Sequence, residues 1–117
     1  MSLPDENSLL SLFECEPKLL DSNVPFFYNE ATYEFYNNNH ERFLVSICPA
    51  YKDIKILVFS VHSNELLQSL NLKSVKAIEI VADRRDESKL MISFEGGSII
   101  VNFKPRFKVL VDYANYP

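Results

Sequence analysis

The spacing of hydrophobic residues along this chain changes once, near residue 25. Before that point Leu9, Leu10, Leu12 and Phe13 recur at helical spacing, behind Asp5 as an N-cap and ahead of Pro17 as a stop. This spacing predicts one short amphipathic helix within Asp5–Glu16. After Pro25 the period becomes two. Phe27, Ala31, Tyr33 and Phe35 share one face, and Tyr28, Glu30, Thr32, Glu34 and Tyr36 share the other, as in a half-buried strand. Asn37, Asn38 and Asn39 tolerate turn geometry, and Phe43, Val45 and Ile47 resume the alternation, so a hairpin is expected, ending at Pro49.

Residues 54–61 are apolar on both faces, which predicts a central strand covered on two sides. Glu65–Leu72 fits both a helical turn and a loose period of two, and the extended reading is preferred, as a short edge segment. Val75–Ala82 alternates again. A charged loop, Asp83 to Glu87, then leads to Lys89–Glu95, where Leu90, Ile92 and Phe94 point one way. The pair Gly96-Gly97 supplies the positive φ of a tight hairpin turn. Ile99, Val101 and Phe103 follow, and beyond Lys104-Pro105-Arg106 a last strand sets Phe107, Val109, Val111 and Tyr113 opposite Lys108 and Asp112. The expected fold is mainly β: an antiparallel sandwich or curled barrel of about seven or eight strands, meandering in its C-terminal half, with one N-terminal helix. No repeat or low-complexity tract divides the 117 residues, so one domain spanning 1–117 is expected.

Composition narrows the chemistry. A chain this long buries roughly two thirds of its unfolded surface and needs no disulfide or metal staple. It has only 2 Gly, 2 Cys and 2 His, and His40 and His62 lie far apart with no ligand spacing around them. Phosphate-cradling loops, zinc motifs and nucleophile–base pairs therefore have no sequence signature here, and neither an enzyme nor a cofactor is expected. No apolar run is long enough for a membrane span, and the acidic N-terminus does not read as a secretory signal, so a cytoplasmic protein with buried free thiols at Cys15 and Cys48 is expected.

Charge carries more information than any motif. The formal net charge is -4, but residues 1–41 hold eight acids against Lys18 alone, and residues 42–117 hold 8 acids and 11 bases. The first third is thus at -7 and the remainder at +3. An acidic field repels nucleic acid and speeds capture of a basic protein. The predicted partner-binding surface combines carboxylates with aromatic anchors: Tyr28, Glu30, Glu34, Tyr36 and Glu41, with Asp53 on a neighbouring loop. A basic cluster with aromatic neighbours (Lys104, Arg106 and Lys108 beside Phe103 and Phe107) is a weak nucleic-acid signal, because the phenylalanines belong to the apolar faces. Two alternatives stay open: a small-ligand or regulatory β-domain with a Phe- and Tyr-lined mouth, and strand addition at the 65–72 edge.

The run Ser8-Leu9-Leu10-Ser11-Leu12-Phe13 with nearby Pro17, the strands after it and the closing run Lys89–Tyr113 resemble the immunity proteins of bacterial polymorphic toxins, especially those of contact-dependent growth inhibition systems. The resemblance rests on pattern over most of the chain. It implies a β-sandwich with one helix that binds a cognate toxin's C-terminal nuclease domain, often a ribonuclease, over its active site. It assigns no binding residue by position.

Overall fold

The computed structural model describes residues 1–113. Helix α1 spans Glu6–Phe13. Asp5 caps it, accepting a 2.7 Å hydrogen bond from the Ser8 N–H, which holds the Asp5 carboxyl below the ordinary carboxylate range. Glu14 ends the helix in left-handed geometry, and its N–H donates to the Leu10 carbonyl.

Nine strands follow among the described residues: β1 (Lys18–Leu19), β2 (Ala31–Tyr36), β3 (Glu41–Cys48), β4 (Asp53–Ser60), β5 (Leu66–Leu72), β6 (Ala77–Arg84), β7 (Glu87–Phe94), β8 (Gly97–Lys104) and β9 (Lys108–Tyr113). They form two antiparallel meanders, β1-β2-β3-β4-β5 and β6-β7-β8-β9. Among the described residues the outer strands of the two meanders do not pair with one another, so the sheets form a sandwich and the barrel alternative is set aside. The extended reading of 65–72 holds, as β5, and the meander extends to both halves of the chain.

The two inner faces and the helix share one core. Tyr33, Phe43, Val45, Ile56 and Val58 of the first sheet and Leu90, Ile92, Val101 and Phe103 of the second are fully buried, and α1 adds Leu9, Leu12 and Phe13. The Phe13 ring lies 4.6 Å from Tyr33, 4.9 Å from Phe35 and 5.8 Å from Phe103, and so joins the helix to both sheets. Burial pushes the Tyr33 phenol up to about 12.

Three local expectations are corrected. The strand expected from Phe27 starts instead at Ala31, and Phe26–Tyr28 is a single 3-10 turn after Pro25. The Pro25 carbonyl accepts from the Tyr28 N–H at 3.0 Å, and this local closure overrides the alternation. The charged loop at 83–87 shrinks to the two-residue turn Arg85-Asp86, because Arg84 and Glu87 still pair across the hairpin. Only Gly96 of the glycine pair has positive φ, at 87°, while Gly97 opens β8. Cys15 and Cys48 are free thiols as expected, though half-buried, and burial is the main cause raising both above the ordinary thiol range.

Candidate protein-interaction surface

The outer face of the first sheet is defined by its register. Glu34, Leu44, Leu57 and Ser69 lie in one row across β2 to β5, and Tyr36, Arg42, Phe59 and Leu66 lie in the next. On the other side of the first row come Thr32, Ser46, Lys55 and Asn71, and beyond them Cys48 pairs with Asp53. Side chains two apart on a strand point the same way, so this face presents carboxylates, bases, aromatics and leucines together.

Pairing across the strands mixes the charges that are separated along the chain. Arg42 donates to Glu34 Oε2 at 2.9 Å and to Asn64 Oδ1 at 3.1 Å, and its guanidinium stacks 4.3 Å over the Phe59 ring. Lys73 lies 3.4 Å from Asp53, and Lys104 pairs with Glu14 at 2.7 Å. Antiparallel pairing brings bases from β3 and from the segment after β5 against acids of β2 and β4. The -7 of the first third therefore does not project onto one uniformly acidic face. Glu30 has no ion-pair partner among the described residues.

Of the six residues expected from the sequence, five fall into two groups at opposite ends of this face, while Glu41, two residues from the buried Phe43 on β3, points to the inner side at the same edge as Tyr36. Glu34, Tyr36 and Glu41 lie near the β2–β3 turn. The Glu41 carboxylate is committed to bonds within the molecule, since its Oε1 accepts from Asn37 Nδ2 at 2.9 Å, from Asn39 Nδ2 at 3.3 Å and from the Phe107 N–H at 2.9 Å. Asn37 Nδ2 also donates to the Phe103 carbonyl at 2.8 Å. This cluster joins the β2–β3 turn of one sheet to the β8–β9 connection of the other.

Tyr28, Glu30 and Asp53 lie at the far end, together with residues that the periodicity did not reveal. The 3-10 turn Phe26–Tyr28 packs beside a second one, Pro49–Tyr51. Leu20 (78% exposed), Tyr28 (69%) and Tyr51 (76%) are among the most exposed large hydrophobic residues described. A shallow cleft of about 360 Å³ lies between Leu20, Glu30, Tyr51, Asp53 and Lys73. Such aromatic residues inside a rim of charge are typical of energetically dominant positions at protein interfaces. Leu20 and Tyr51 were missed because they sit in irregular segments with no periodicity; their one signal was a large apolar residue where turns are usually polar.

The loop carrying Leu20 and Tyr28 is held from behind by Asn29, which is 3% exposed. Asn29 Nδ2 donates to the carbonyls of Asp21 (2.6 Å) and Val24 (2.9 Å), and its Oδ1 accepts from the N–H groups of Asp21 (3.2 Å) and Glu30 (3.0 Å).

No group of three or more His, Cys, Asp or Glu able to hold a metal occurs among the described residues. His40 and His62, remote in sequence, lie at adjacent hairpin tips with ring centroids 4.5 Å apart. No helix among the described residues is long and apolar enough to cross a membrane.

The fold thus defines a class: a two-sheet antiparallel sandwich with one N-terminal helix and a mixed aromatic and charged outer face. No family model and no curated protein matches the sequence. Among solved structures, the chain is similar to a chain of the contact-dependent growth inhibition toxin–immunity protein complex from Klebsiella pneumoniae 342, with a TM-score of 0.74 and 18% identity over 95% of each chain. At that identity the likeness is one of fold, and it agrees with the fold that the sequence resemblance implied.

Proposed function

We propose that this protein is an immunity protein that binds the C-terminal domain of a cognate toxin, a basic nuclease acting on RNA, and covers its active site. The fold likeness to a chain of a toxin–immunity complex over 95% of both chains carries the reading. The contact surface is the outer face of the first sheet, through Tyr28, Glu30, Glu34, Tyr36 and Asp53, with Leu20 and Tyr51 as further anchors and Glu41 bracing the rim. Aromatic anchors supply most of the binding energy in such interfaces, while the acidic excess of the first third steers a basic partner into encounter. The protein acts in the cytoplasm by surface complementarity, with no catalytic group and no cofactor.

The test is co-production with the toxin domain encoded immediately upstream. The expected result is rescue of growth and a stoichiometric complex that survives purification. A chain that neither rescues growth nor binds that domain overturns the proposal.

A further inference from the structure

We infer that β9 is a self-association edge, through which two copies of this chain pair antiparallel and join their four-stranded sheets into one of eight strands. This rests on the edge itself and is independent of the toxin-binding reading. An unpaired edge is a template for another strand, and proteins usually blunt it with bulges, shortness or a covering segment. Three of the four edges here are blunted. β1 has two residues. The register of β5 shifts where it meets Val58 and Phe59. β6 has a shift between Ile80 and Ala82 and is covered by Ser2, whose N–H donates to the Lys76 carbonyl and whose carbonyl accepts from Ile78.

β9 differs on each count. It pairs with β8 over six consecutive residues without a shift, and among the described residues no strand pairs with its other side. Leu110 is 60% exposed and Val111 54%. The strand Lys108-Val109-Leu110-Val111-Asp112 is also self-complementary when reversed. With Leu110 opposite its counterpart, each Lys108 faces the second copy's Asp112, and each Val109 faces the second copy's Val111. Opposite charges then meet twice on the outer face, while apolar side chains meet on both faces. A parallel pairing would set Lys108 against Lys108. An antiparallel slip of two residues would set Lys108 against an apolar residue or Asp112 against Leu110, so the charges specify one register. A dimer of this kind uses the second sheet and leaves the outer face of the first sheet free on both copies.

The experiment is sedimentation velocity on the full chain from micromolar to submillimolar concentration, comparing wild type with Lys108→Asp, Asp112→Lys and the double exchange. A monomer–dimer equilibrium is expected for the wild type. Each single reversal creates two like-charge pairs and should weaken the dimer about tenfold or more. The double exchange should restore it. Thermal melts check that each variant stays folded, and the double exchange is informative even if a single variant is impaired. The inference is overturned by a wild type that is monomeric throughout, by single variants that dimerise as tightly as wild type, or by a double exchange that stays as weak as the singles.

Discussion

Replacing Glu41 by Ala separates a bracing side chain from a contacting one. One carboxylate oxygen accepts from the Asn37 and Asn39 amides and from the part-buried N–H of Phe107. Asn37 keeps a second acceptor in the Phe103 carbonyl, and Asn39 is exposed enough to turn to water, so the main loss is the acceptor for Phe107. Leaving such a donor unmet, together with losing a charge-assisted bond, costs about 2 kcal/mol. In a domain of this size that lowers Tm by about 8 °C. Glu41→Gln keeps an acceptor oxygen in place and loses only the charge, which should halve the fall to about 4 °C. Calorimetry measures both, and partner affinity is then measured where each variant is folded. An Ala variant that melts with the wild type would refute the bracing role. One that melts normally but loses the partner would place Glu41 in the interface.

Further outcomes follow from the same geometry. Phe13→Ala removes the ring shared by helix and both sheets and should cost about 3–5 kcal/mol, read by urea unfolding; a loss near that of a surface substitution would refute its central position. On the proposed function, Tyr51→Ala should speed dissociation from the toxin domain, whereas Glu30→Lys should mainly slow association at low salt; unchanged rates for both would remove the far end of the face from the proposed interface. The raised Tyr33 phenol keeps its proton in the folded chain while an unfolded tyrosine ionises near pH 10, so stability should be full below pH 10 and fall between pH 10 and about 12. Phenolate absorbance should show Tyr33 ionising only as the pH approaches about 12, and its ionisation near pH 10 in the folded chain would contradict its burial.

Most of the sandwich was legible because alternation reports which face is buried, and the core positions Tyr33, Phe35, Phe43, Val45, Leu90 and Ile92 all point inward as the period of two predicts. Phe27 failed because periodicity cannot see a turn closed by Pro25 and braced by a buried asparagine. The charge reading was right as arithmetic and incomplete as geometry. Arg42 and Lys73 reach acids remote in the chain only after the strands pair, and no local pattern shows that. For the proposed surface, the sequence alternation places Glu34 and Tyr36 on one face of β2. The surface's division into two ends, and the place of Leu20 and Tyr51, came from two irregular turns meeting in space.

The bracing of the 21–30 loop by Asn29 has a consequence for how such a surface diversifies. The loop's shape is set by one buried side chain reaching four backbone groups, none of them on Leu20 or Tyr28. Leu20 and Tyr28 can therefore be exchanged for other residues without changing the platform that presents them. On the proposed function, a lineage facing a new opponent rewrites what it recognises one surface residue at a time while inheriting a loop already braced, so each new partner meets a preorganised surface.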